Sequence, residues 1–94
     1  MPVRFGAILS LMKAIILSAS AAKDLDALPR EGREQVETGL SRYAITGQGD
    51  VRALQGREGY RLRIGQYRVL FDQDATTILA IYIGRRATKT YKRS

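Results

Sequence analysis

Arg61, Arg63 and Arg68 are the residues whose type and spacing bear most directly on chemistry. The alternation of GYRLRIGQYRVLF, residues 59 to 71, predicts that they share one face of a β-hairpin. Tyr60, Leu62 and Ile64 alternate with Arg61 and Arg63, Gly65-Gln66 interrupts, and Tyr67, Val69 and Phe71 then alternate with Arg68 and Leu70. The pattern is two period-2 strands about a two-residue turn. Glycine at the first turn position fits type II′ or I′ and sets the register. Ile64 then opposes Tyr67, Arg63 opposes Arg68 and Arg61 opposes Leu70, so the apolar side chains take one face and the guanidinium groups the other. Directly opposed like charges destabilise a sheet by up to about 1 kcal/mol, and the stretch has nothing acidic beside them. The missing negative charge is expected from outside the chain.

The rest of the charge distribution points the same way. Residues 1 to 50 carry six basic and six acidic groups, whereas residues 51 to 94 carry ten basic groups against Glu58, Asp72 and Asp74. The whole excess of +7 therefore sits in the second half. Such one-sidedness fits a polyanion or an acidic protein partner, or a merely solubilising face, and says nothing by itself about fold.

The 94 residues make one domain with one core. The absence of cysteine and histidine removes disulfides, thiolate nucleophiles, Ser-His triads and the common transition-metal ligands. The acidic residues do not cluster at spacings that suggest a cation site, so neither metal nor cofactor is expected. Any catalysis must use Arg, Lys, Tyr or a carboxylate.

Residues 1 to 11 are expected to be an extension, with the domain spanning residues 12 to 94. MPVRFGAILSLMKAIILSASAA can be read as a signal peptide, but Lys13 splits its apolar run and KAIILS is needed as a strand. The alternative is an internal start at Met12. The eleven residues are too few to cross a bilayer as a helix, and a cytoplasmic protein without membrane contact is expected.

The elements that must position the arginines follow from periodicity. Lys13 to Leu17 is β-branched-rich and reads as a strand. Ser18 or Ser20 then caps a short helix with Ala21, Leu25 and Leu28 inward, which Pro29 ends. A second helix is predicted from about Arg30 to Tyr43, with Val36, Leu40 and Tyr43 as its inward stripe. Gly39 within it either weakens the helix, by up to about 1 kcal/mol against alanine, or marks a close contact. Strands are predicted at about Val51 to Leu54, Tyr60 to Ile64, Tyr67 to Asp72 and Thr77 to Ile83, the last apolar enough for a central position. The order β-α-α-β-β-β gives an α+β fold, two N-terminal helices on one face of a small, mostly antiparallel sheet. The other face stays open, lined by Arg61, Arg63 and Arg68 and within reach of Arg85 and Arg86.

With these residues in order, the chain resembles the RelE/ParE superfamily of bacterial type II toxin-antitoxin toxins. The resemblance runs from Lys13 to Arg93. It rests on the helix motif Ala21-Ala22-Lys23-Asp24-Leu25-Asp26-Ala27-Leu28-Pro29, on Val51-Arg52-Ala53-Leu54-Gln55-Gly56, on the hairpin Tyr60 to Arg68, and on Ile83-Gly84-Arg85-Arg86 with Tyr91. It implies a RelE-like fold and a cognate acidic antitoxin as partner. One branch implies a ribosome-dependent mRNA endonuclease that arrests translation, the other a ParE-like, non-catalytic inhibitor of DNA gyrase. A basic module without catalysis is a third reading.

For the ribonuclease branch, the resemblance implies a catalytic set of Arg61, Arg63, Arg68, Arg86 and Tyr91, with Arg85, Lys89, Lys92 and Arg93 as RNA contacts that position without specifying. Arginine stands where the best-known ribonuclease member has a lysine pair in the hairpin, and the interval from Arg86 to Tyr91 is one residue shorter than in that member. Attack of a ribose 2′-oxygen on the adjacent phosphate needs a base, cations for the developing charge and an acid for the leaving oxygen. Arginine stays protonated and supplies only charge and geometry. Tyr91 is left as the base, its phenol lowered from about 10 by surrounding cations, or else as a terminal aromatic packed on the sheet. Tyr60 and Tyr67 alternate with the open face and are expected in the core.

Overall fold

The hairpin that carries the arginines is the centre from which the sheet is built. The computed structural model describes residues 12–86. In chain order the elements are β1 (Ala14–Leu17), α1 (Ala19–Ala27), α2 (Arg30–Thr46), β2 (Asp50–Ala53), β3 (Tyr60–Ile64), β4 (Tyr67–Gln73) and β5 (Thr77–Arg85). Gly65 has φ +57° and no other residue type takes a positive φ among the described residues, so the β3–β4 turn is type II′. Its register is the expected one, with Ile64 opposite Tyr67, Arg63 opposite Arg68 and Arg61 opposite Leu70.

The five strands stand in the order β1-β5-β4-β3-β2, with β1 parallel to β5 and every other pair antiparallel. Both helices bury one stripe on the same face. From α1 come Ala21 and Leu25, from α2 Val36, Leu40 and Ala44, and they meet Leu62, Tyr67, Val69, Phe71, Ile78, Ala80 and Ile83 from the sheet. Phe71 is fully buried, stacked on Tyr60 at 5.5 Å between ring centroids and met edge-on by Tyr43 at 5.7 Å. Burying a ring of that size contributes about 1.5–3 kcal/mol. Tyr60 and Tyr67 are thus core residues, as the alternation implied.

Helix ends follow local chemistry. The Ser18 hydroxyl accepts the Ala21 N–H at 3.0 Å and caps α1, and Pro29 stands between the two helices. The second helix runs three residues beyond the predicted end at Tyr43. It stops only where Gly47 turns left-handed at φ 78° and gives its N–H to the Tyr43 carbonyl at 2.8 Å. Ala44, within that extra turn, belongs to the core. Gly39 marks a close contact, since a Cβ there would lie 2.7–2.9 Å from three side-chain carbons of Ile64.

One irregularity decides which way the end of the sheet faces. Leu70 pairs with Tyr82 but Phe71 pairs with Ala80, so Ile81 is an extra residue, a bulge in β5. Its carbonyl accepts the hydroxyls of Ser18 and Ser20 at 3.3 and 3.2 Å. Beyond Leu17 the strand β1 no longer pairs with β5, and the start of α1 takes over as hydrogen-bond partner of that edge. The Ser18 N–H donates to the Ala80 carbonyl at 2.9 Å, and the Ile83 N–H donates to Asp24 Oδ2 at 3.0 Å. Backbone groups that a short neighbouring strand would leave unpaired are in this way satisfied by the cap residue's backbone and by side chains of the cap and helix.

Candidate functional site

The helix-free face of the sheet carries two cross-strand rows. From β2 to β5 the first is Arg52, Arg61, Leu70 and Tyr82, and the second is Asp50, Arg63, Arg68 and Gly84. Side chains directly opposite in such rows have Cβ atoms about 4.5–5.5 Å apart. Four guanidinium groups therefore crowd one patch. Asp50 in the edge strand stands opposite Arg63, so the arginines are not without an acidic neighbour as the hairpin sequence alone implied. The only ion pair among the described residues, however, joins Arg30 to Glu34 on the exposed side of α2 at 3.2 Å.

The patch is electrostatically incomplete. The Nε atoms of Arg61 and Arg68 are buried and have no hydrogen-bond partner among the described residues. A buried donor left unmatched costs about 1–3 kcal/mol, more when charged. Arg61 is held below the usual arginine range, first by loss of hydration and then by Arg63, Arg52 and Arg68, with Asp50 opposing. An anion seated over these side chains would match the free Nε donors and offset the repulsion among the arginines.

Arg86 joins the rim of the patch. Its backbone N–H donates to the Gln66 carbonyl at 2.7 Å and its Nη1 to the Gly65 carbonyl at 3.0 Å, so the hairpin turn holds it. Arg85 goes the other way. It pairs with Tyr67, lies 5.5 Å over that ring and donates Nη1 to Gln66 Oε1 at 2.9 Å, on the helix side of the sheet. The expectation that both basic residues reach the open face fails for Arg85, which faces the helices with Tyr67, while Arg86, just past β5, is tied to the hairpin turn. Lys89, Tyr91, Lys92 and Arg93 lie outside the described residues, as do residues 1–11. No group of His, Cys, Asp or Glu suited to a metal occurs among the described residues, and no helix there is long and apolar enough to cross a membrane.

No family model matches the chain and no curated protein matches it. Solved structures do. The toxin-antitoxin complex RelBE2 from Mycobacterium tuberculosis contains a chain 23% identical, with a TM-score of 0.64 over 80% of this chain and 99% of that one. The archaeal RelE-RelB complex from Pyrococcus horikoshii gives 20% identity and a TM-score of 0.67 over 83% and 99%. The isolated E. coli RelE toxin gives 18% and 0.65 over 86% and 93%. The fold is that of the RelE toxins.

Within this RelE-like fold, two residues of the open face escaped the sequence reading. Arg52 was legible as part of a strand but not as a neighbour of Arg61, since the loop between Ala53 and Tyr60 is too long to fix register as a two-residue turn does. Tyr82 was hidden by the bulge. Counted from Ile78 and Ala80 in unbroken alternation it would face the helices, yet it lies on the open face and is 38% exposed. It is the one tyrosine that the described part of the RelE-like fold presents on the arginine side.

Proposed function

We propose that this chain is the toxin of a type II toxin-antitoxin pair and that it is a metal-independent endoribonuclease cutting mRNA on the ribosome. The observation that carries the reading is the set Arg61, Arg63 and Arg68, held in register on an uncovered sheet face with two guanidinium Nε atoms unmatched. The fold supports it, since related structures are RelE chains solved with RelB antitoxins. An acidic antitoxin would neutralise the same face that RNA occupies, and the protein acts in the cytoplasm.

In the proposed reaction the ribose 2′-oxygen bonds to the adjacent phosphorus as the bond to the 5′-oxygen breaks, leaving a cyclic phosphate and a free 5′-hydroxyl. Arg61, Arg63 and Arg68 bind the phosphate and stabilise the extra charge of the pentacoordinate state, where fixed cations have most effect. Arg86 contributes from the rim. Arginine cannot take the 2′ proton, so that task falls to Tyr91 as its phenolate, and water protonates the departing 5′-oxygen. Lys89, Lys92 and Arg93 hold flanking backbone phosphates. Arg85, on the opposite face and stacked on Tyr67, is assigned a structural part. The working unit is residues 12 to 94, with residues 1 to 11 an extension.

Inducing the chain without its antitoxin tests this reading. Ribosome-bound mRNA should acquire new 5′ ends within codons as growth stops. Arrest with intact mRNA and an induced DNA-damage response would replace it with the gyrase reading.

A further inference from the structure

The ring of Tyr82 lies down on the open face rather than standing off it. A Cβ built on Gly84 would fall 2.6 Å from Tyr82 Cζ and 3.0 Å from Cε2, and would collide with the phenol oxygen. The tip of the ring therefore rests directly over Gly84. That glycine has no left-handed backbone, so its lack of a side chain provides space and not conformational freedom. Gly84 is the residue opposite Arg68, and Tyr82 is opposite Leu70, next in its row to Arg61. The exposed ring is thus a flat, partly apolar surface bordering the arginine patch on the β5 side.

We infer that Tyr82, seated on Gly84, is a nucleobase subsite: a stacking platform for a base whose neighbouring phosphate is held by Arg61 and Arg68. The inference rests on the ribonuclease reading and assigns the site a further contact. Single-stranded RNA is recognised through bases stacked on aromatic side chains of a sheet, beside cations that track the backbone. A phosphate on the arginines leaves its attached nucleoside over the adjoining columns of the same face, and on the β5 side these are Leu70 and Tyr82. Every base offers a π-face, so the platform positions the strand without choosing among bases. Discrimination at this point is expected to be weak.

The test is affinity for ribosomes programmed with a 2′-O-methyl mRNA, which binds without being cut, carrying either a normal or an abasic decoding-site codon. Tyr82→Ala should weaken binding to the normal codon about five- to a hundredfold and leave binding to the abasic codon unchanged. Tyr82→Phe should bind like wild type, because the ring face and not the hydroxyl makes the contact. Gly84→Ala, which lifts the ring, should resemble Tyr82→Ala. Arg61→Ala should weaken binding to both codons. If Arg61→Ala weakens binding but Tyr82→Ala does not, the subsite is wrong while the ribonuclease reading stands. Equal losses for Tyr82→Phe and Tyr82→Ala would mean that the hydroxyl acts and overturn the stacking role. Wild-type protein that does not bind these ribosomes would overturn both.

Discussion

Asp24 Oδ2 accepts the backbone N–H of Ile83 at 3.0 Å, fastening the first helix to the strand that bears Tyr82 and Gly84. Removing that acceptor strands a backbone donor on a residue that is itself buried. Asp24→Ala should lower unfolding free energy by about 1–3 kcal/mol, the cost of an unmatched buried group. Asp24→Asn, which keeps an acceptor oxygen, should lose less. Urea unfolding of the two variants beside wild type provides the comparison.

Gly39→Ala sets helix propensity against packing. Alanine favours the helix by about 1 kcal/mol. The added methyl, however, would meet Ile64 at 2.7–2.9 Å on three carbons, including both branches next to the chain, and overpacking costs about 1–3 kcal/mol. Packing should win, giving a lower thermal midpoint. Adding Ile64→Val should recover part of the loss, so a strictly additive pair would show that the contact is not the cause.

Arg61→Ala should leave the thermal midpoint unchanged or slightly raised. Arg61 has Arg52 opposite it in β2, and Arg63 and Arg68 also act on its charge. Relieving that crowding offsets the loss of its stem packing. Growth arrest should disappear in the same variant. A clear fall in calorimetric midpoint would instead make Arg61 a structural residue.

Arg86→Ala removes a cation held at the hairpin turn and should slow RNA cleavage by about 10²- to 10³-fold, the effect of deleting one preorganised donor. Tyr91→Phe should abolish cleavage without weakening antitoxin binding. Single-turnover cutting on ribosomes, with antitoxin affinity measured in parallel, checks both. A fully toxic Tyr91→Phe would remove the phenol from the chemistry.

What could be read from the sequence tracks how tightly local rules constrain the chain. Residues 60–71 were legible to the level of register because a two-residue turn allows few alternatives. Ser18 as a cap and Pro29 as a stop were legible for the same reason. The second helix was cut short at Tyr43 because Thr46-Gly47-Gln48-Gly49 reads as loop, although Gly47 is also an ordinary helix terminator. Asp50 and Arg52 became neighbours of the arginines only through a long-range pairing that nothing local specifies. Arg85 and Tyr82 were the hardest, since their faces depend on an extra residue whose place is held by Ser18 and Ser20, over sixty positions away.

The Ile81 bulge works as a reading-frame shift inside the folded molecule. Upstream of it even-numbered residues of β5 point to the helices, and downstream odd-numbered ones do. Excising Ile81 would remove the bulge and leave every other residue of β5 on the face it already has. Were Ile81 instead kept and paired in regular alternation, Ile83 would turn outward, while Tyr82 and Gly84 turned beneath the helices. Which aromatic meets the outside is therefore set in this strand by one residue being left out of the pairing, not by how polar the ring is.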